Sequence, residues 1–180
     1  METELKSVRY PYASLEDFLA SQMLTVDGAL DDGWNAQFIV RGREIHAAVL
    51  FADISGFSAR TAKLDPTETL AFVNHFFAWI TAEALRTRPG IVDKYIGDEL
   101  MIVFSEEFGS KDPFLDAAQA ARWMGQNDAF AFSPHIGIAC GKVIVGYVGT
   151  PKRYNCSVFG APVGIGVCST GGIATHTPTE

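Results

Sequence analysis

The stretch AAVLFADISGFS, Ala47–Ser58, is where a reading of this chain begins. Ala47 to Ala52 are apolar without a break, which reads as a buried strand. Asp53 then ends the run and Ser55-Gly56 turns the chain. A carboxylate at the end of a buried strand is costly unless something pairs with it. A second such place follows. In IVDKYIGDELMIVF, Ile91–Phe104, two short apolar strands flank Gly97-Asp98, which reads as a hairpin with a carboxylate on its turn.

Upstream of Asp53 the β pattern extends back to Gln37, with a turn or bulge near Arg41–Glu44, and TVDGALDDGWN before it reads as a loop. SLEDFLASQML, Ser14–Leu24, reads as a short helix capped by Ser14. Between the carboxylates lies the clearest helix. Asp65 caps it, Pro66 takes its first position and Glu68 completes a capping box. Leu70, Val73, Phe77, Ile80 and Ala84 recur at helical spacing, with Phe72, Phe76 and Trp79 as further core or dimer-contact residues, and Pro89-Gly90 ends it. DPFLDAAQAARWM starts a further helix, closed onto the sheet by Trp123 and Met124. PHIGIACGKVIVGYVG reads as a hairpin turning at Cys140-Gly141. The glycine-rich tail from Gly160 to Gly172 is expected to order only with a nucleotide or partner. The resulting β-α-β-β-α-β order, with an added strand or two, predicts an α+β sandwich: one antiparallel or mixed sheet with helices on one face.

The bounds agree with a single domain. The chain has 180 residues, 48% of them hydrophobic, enough for a real core. A net charge of −7 argues against a general nucleic-acid binder. The charged N-terminus lacks the apolar core of a secretory signal, and no run is long enough to span a bilayer. Cys140, Cys156 and Cys168 lack metal-type spacing and read as reduced thiols of a cytoplasmic protein.

Asp53 and Asp98 would meet at one edge of the sheet if their strands are neighbours. Either alone reads equally well as a cap or turn residue. Together they would repel unless a cation lies between them. A hard divalent ion satisfies both and also neutralises a triphosphate. The backbone N–H groups of ISGFS are suited to phosphate oxygens. The pair therefore points to a two-metal nucleotide site. Glu99 is expected to turn away from it, and His75 to lie on its helix surface or hydrogen-bond at the helix edge.

FADISGFS and KYIGDELMIVF, followed by HIGIACGKVIVGYVG, resemble the metal-binding motifs of class III nucleotidyl cyclases in their order and spacing, from about His46 to about Val163. The resemblance implies a ferredoxin-like, palm-type sheet with helices packed on it and a head-to-tail homodimer whose sites are built across the interface. It implies a catalytic domain over 37–180, preceded by an N-terminal arm and short helix over 1–36. It further implies two divalent cations, Mn2+ or Mg2+, held by Asp53, Asp98 and the Ile54 carbonyl. Ser55, Gly56 and Phe57 would bind the phosphates. Lys94 stands where the family reads the base, as in adenylate cyclases, although an isolated strand lysine reads equally well as exposed. Its partner position holds Ser157, which leaves the base open.

The pattern departs from the family further on. Gly164 and Cys168 stand where an Asn and an Arg usually stabilise the transition state, and the family's last strands and phosphate-binding lysine are not found before Glu180. Arg60, Lys152, Arg153 and Asn155 are the nearby polar groups that could substitute, or remain surface residues. These departures resemble the pyrimidine cyclases of Pycsar antiphage systems, which implies cyclic UMP or cyclic CMP as a messenger read by a separate effector. UTP is then expected ahead of CTP, with Phe57 or Tyr95 filling the space a smaller ring leaves. Two alternatives stay open: an adenylate cyclase, and a degenerate domain that binds nucleotide and regulates a partner. IGDEL also resembles the diguanylate cyclase hairpin, but Ile96 stands where that family has a glycine.

Overall fold

The computed structural model describes residues 11–31, 37–150 and 152–169. Most of the N-terminal arm and the end of the glycine-rich tail lie outside them. Five helices and six strands appear among these residues: α1 (Leu15–Ser21), β1 (Val26–Asp31), β2 (Gln37–Asp53), α2 (Phe57–Thr61), α3 (Pro66–Leu85), β3 (Ile91–Ile96), β4 (Glu99–Ser105), α4 (Pro113–Gln126), β5 (His135–Thr150), β6 (Arg153–Phe159) and α5 (Ala161–Ser169). The helix starts are the ones the sequence marks. Ser14 accepts from the Asp17 amide, and Asp112 from that of Leu115. Asp65 and Glu68 form a complete capping box.

All strands pair antiparallel in the order β3-β4-β2-β5-β6, and β1 pairs with the first part of β2. β2 is the axis. Ala47–Ala52 are buried throughout, and their side chains alternate between two cores. Val49 and Phe51 join Phe18 and Leu19 of α1, with Val163 of α5 packed against that core. Ala48, Leu50 and Ala52 join Phe76 and Ile80 of α3 and Ala117 and Met124 of α4. Helices thus cover both faces, not one as expected. The unbroken apolar run of β2 is what such two-sided burial requires.

Four further readings are corrected. The loop expected at TVDGALDDGWN contains β1, whose residues are all exposed. Backbone pairing from Val26↔Gly42 to Asp31↔Gln37 makes it a strand, so it carries no hydrophobic alternation to read. β2 has no turn at Arg41–Glu44. β5 does not reverse at Cys140-Gly141; it runs beside β2 from Asp53↔His135 to Gly42↔Gly146, and the chain reverses between Thr150 and Arg153. The glycine-rich tail is helical over Ala161–Ser169, and Gly166 lies against the Phe51 ring, where an added Cβ would sit 2.6 Å from it.

The buried stripe of α3 is also rotated from the expected one. Phe76, Trp79, Ile80 and Ala84 face the sheet, while Leu70 is 62% exposed and Val73 and Phe77 are half-buried. On α4, Met124 is buried, but Trp123 faces outward with the Arg86 guanidinium over its ring. Among the described residues no helix is long and apolar enough to cross a membrane.

Candidate active site

The pairing of β2 with β4 brings the ends of the two motifs together, since Ala52 opposes Leu100. Asp53 is the last residue of β2. Asp98 sits on the two-residue turn between β3 and β4, where Gly97 takes φ +65°, a value glycine adopts readily. Asp53 Oδ1 is buried and makes no hydrogen bond. Its neighbour is His135 Nδ1, 3.2 Å away across the β2–β5 ladder, within ion-pair range but off hydrogen-bond geometry. The other nitrogen of that ring, Nε2, lies 3.2 Å from Ser55 Oγ. Burial pushes the Asp53 carboxyl up, the His135 charge opposes this, and Asp98 pushes it further up. Glu99 does not escape the pair: burial raises its carboxyl, and the charges of Asp53 and Asp98 raise it more.

A buried, non-hydrogen-bonded carboxylate oxygen with a second carboxylate, Asp98, acting on it fits a hard cation. Asp53, Asp98 and the Ile54 carbonyl would offer an all-oxygen donor set to Mg2+ or Mn2+. Among the described residues no three His, Cys, Asp or Glu side chains converge as a full cage. Water and substrate phosphate would therefore complete the shell, as Mg2+ usually requires. The Ile54 carbonyl accepts from the Phe57 amide at 3.2 Å and keeps a second lone pair. That bond removes Phe57 from the expected phosphate donors. The Ser55 and Gly56 amides remain, on a turn that Gly56 permits at φ +66°.

The raised Asp53 carboxyl has a consequence for stability. The folded chain holds this proton more tightly than the unfolded chain does. Ionisation of Asp53 therefore lowers stability as pH rises from the unfolded pKa through the raised folded-state pKa. Metal-free Asp53→Asn is expected to melt a few degrees higher than wild type near neutral pH, and Mn2+ to raise the melting temperature of wild type but not of the variant. Thermal melts with and without the ion check this. A lower melting temperature for metal-free Asp53→Asn would mean that the His135 ion pair outweighs burial and repulsion.

The second feature joins opposite edges of the sheet. Lys94 of β3 donates to Ser157 Oγ of β6 at 2.5 Å. Ser157 Oγ donates to Asp93 Oδ2 at 2.7 Å, and Lys94 Nζ lies 3.4 Å from that same oxygen. Burial pushes the Asp93 carboxyl up, while Ser157 and Lys94 pull it down. A cavity of about 400 Å3 opens over this group, lined also by Tyr95, Arg153, Asn155 and Glu16. Its lining includes neither Asp53 nor Asp98. A somewhat larger cavity, about 470 Å3, lies by Ser105, Cys140 and the start of α4 and contains none of the residues of either feature.

The structure thus brings Lys94, Tyr95, Ser157 and Arg153 together, and Asp53, Ile54, Ser55, Gly56 and Asp98 together. Phe57 packs against the α3–α4 core and Tyr95 stacks on Phe77 at 4.3 Å, so of the two expected space-fillers only Tyr95 borders the cavity. Arg60 is engaged elsewhere. It donates to the Phe132 carbonyl and lies over the Phe72 ring. Gly164 has open space around it. The Cys168 side chain lies outside the described residues. His75 is exposed, edge-on to Phe130. Cys140 and Cys156 are free, and burial pushes the Cys156 thiol up to about 12. Asp93 and His135 were not legible as site residues, because a bulge and a long-range register place them.

This fold, with a carboxylate pair at one strand end and a polar pocket bridging the sheet edges, is that of the nucleotide cyclases. The adenylyl cyclase CyaB from P. aeruginosa superposes with a TM-score of 0.63 over 71% of this chain and 72% of that one at 20% identity, which establishes the fold. The guanylyl cyclase Cya2 does so with a TM-score of 0.57 at 25% identity, over 71% of this chain and 70% of that one. The chain belongs to the adenylate and guanylate cyclase catalytic domain family, whose model matches residues 40–167. An uncharacterised protein of Mycobacterium tuberculosis is 34% identical over 125 residues, 68% of this chain. An adenylate cyclase of Anabaena cylindrica is 30% identical over 129 residues, 65% of this chain. The chain spans only 23% and 25% of the lengths of these two relatives.

Proposed function

We propose that this chain is the catalytic unit of a nucleotidyl cyclase that converts UTP, and less readily CTP, to the 3′,5′-cyclic monophosphate and pyrophosphate. The observation that carries the cyclase reading is the buried, non-hydrogen-bonded Asp53 Oδ1 beside Asp98. When bound, divalent cations neutralise the triphosphate and favour ionisation of the ribose 3′-hydroxyl. Asp53, Asp98 and the Ile54 carbonyl would hold them, and the Ser55 and Gly56 amides would orient the phosphates. The 3′-oxygen forms a bond to the α-phosphorus, the bond to the bridging oxygen breaks, and pyrophosphate leaves.

The pyrimidine reading is supported by the pocket. Lys94, Arg153 and Asn155 offer N–H donors around Ser157. Uracil presents carbonyl, N–H, carbonyl along one edge, which answers donors flanking an acceptor. With the departures at Gly164 and Cys168, this supports a Pycsar-type role: a messenger made in the cytoplasm for antiviral defence and read by a separate effector. ATP is the second reading, favoured by the retained Lys94–Ser157 contact and by the Anabaena relative. Comparing kcat/KM for UTP, CTP, ATP and GTP with Mn2+ decides between them. A tenfold preference for UTP over ATP is expected, and the reverse would establish the ATP reading. No product from any of the four would favour a regulatory nucleotide-binding domain.

A further inference from the structure

We propose that Asp93 is a positioning residue that sets base choice: by accepting the hydrogen bond of the Ser157 hydroxyl it leaves Ser157 able only to accept from a base, and so favours the N3–H of uracil over the N3 lone pair of cytosine. The proposal rests on the reading of Lys94 and Ser157 as the base pocket.

Asp93 reaches Ser157 because β3 is irregular. Val92 opposes Ile102 and Lys94 opposes Met101, so Asp93 is the extra residue of a bulge. Bulges re-aim side chains. Here the carboxylate lies beneath the Lys94 ammonium, its side chain 0% exposed against 37% for Lys94. Burying a carboxylate this fully is costly, and one oxygen, Oδ1, makes no hydrogen bond. The other oxygen makes the bond that matters.

With Asp93 ionised beside the Lys94 ammonium, the valences leave one arrangement. A serine hydroxyl has one proton and two lone pairs. An ionised carboxylate only accepts and an ammonium only donates. The Ser157 proton therefore goes to Asp93 Oδ2, and one lone pair takes a Lys94 proton. One lone pair is left for a base, beside the N–H groups that Lys94 still has. Uracil meets that lone pair with N3–H while one neighbouring carbonyl meets the Lys94 ammonium, and Arg153 and Asn155, which also line the cavity, supply further donors. Cytosine offers a lone pair at the same atom, and two facing lone pairs repel. It reaches Ser157 through its amino group only by sliding along its edge, which leaves a flanking donor without an acceptor.

In Asp93→Asn the amide can donate to Ser157, which frees the hydroxyl proton for cytosine. The test measures kcat/KM for UTP and CTP with Mn2+ in wild type, Asp93→Asn, Ser157→Ala and the double variant. The expected result is a wild-type preference for UTP of about tenfold or more, reduced at least tenfold by Asp93→Asn through a gain with CTP relative to UTP. Ser157→Ala should reduce it similarly, and adding Asp93→Asn to Ser157→Ala should change it no further. If Ser157→Ala removes the preference but Asp93→Asn keeps it, the Asp93 proposal is overturned and the pocket reading stands. If wild type shows no preference for UTP over CTP, the Asp93 proposal is overturned and the pocket reading stands; if Ser157→Ala leaves a wild-type preference untouched, the pocket reading falls and the Asp93 proposal with it. Should Asp93→Asn not fold, Asp93→Ser serves, because a hydroxyl that both donates and accepts also releases the lock.

Discussion

Replacing Asp53 or Asp98 by alanine is expected to lower cyclase turnover at least about a thousandfold, because on the proposed two-metal reading each removes a hard anionic ligand from the site that would neutralise the triphosphate. The protein should stay folded. Asp53 ends its strand with a partly exposed side chain, and Asp98 sits on a turn, so neither contributes to the two cores. Asparagine at either position should do nearly as much damage, since a neutral amide is a poor ligand for a hard dication. Turnover measured with Mn2+, alongside a thermal melt, separates loss of chemistry from loss of fold. Near-wild-type turnover in either alanine variant would end the two-metal reading.

The second large effect is a recovery. Asp53→Ala and Lys94→Glu chains, each inactive alone, should regain about a quarter of wild-type activity when mixed in equal amounts and allowed to exchange. The cavity by Lys94 does not include the metal carboxylates, which suits a site completed by a second copy of the chain. Random pairing makes half of the dimers mixed. Each mixed dimer has one site with intact carboxylates from one chain and an intact base pocket from the other, while its second site carries both lesions. Titrating one inactive chain with the other gives the readout. No recovery, under conditions where sedimentation shows mixed dimers, would place the whole site within one chain.

Local sequence carried much of this architecture, and for identifiable reasons. Asp65-Pro66 with Glu68, and Asp112-Pro113, mark helix starts because their side chains satisfy nearby amides. Gly97-Asp98 between apolar runs marks a tight hairpin because glycine tolerates the left-handed backbone. The two carboxylates were readable because a charge ending an apolar strand conflicts with its surroundings, and such conflicts concentrate at functional sites.

Local sequence misleads where a distant partner decides the conformation. Cys140-Gly141 looked like a turn, but an unbroken ladder with β2 holds β5 straight through it, with Gly141 at φ +155°. The face of α3 that meets the sheet was set by packing with α4 and β2, beyond what the spacing of its many apolar residues could indicate. β1 exists through backbone pairing alone.

By itself the sequence determined the strand that forms the core, the helix starts, the two carboxylates and the glycines of their turns, because each depends on neighbours a few residues away. Tertiary structure alone decided that His135 faces Asp53, that Arg60 is engaged at Phe132, and that a bulge turns Asp93 beneath Lys94 to meet Ser157 from the opposite edge of the sheet. The His135–Asp53, Arg60–Phe132 and Asp93–Ser157 contacts join residues 64 to 82 positions apart in the chain. Long-range register and a single irregular residue set them, and neither leaves a local mark in the order of the amino acids.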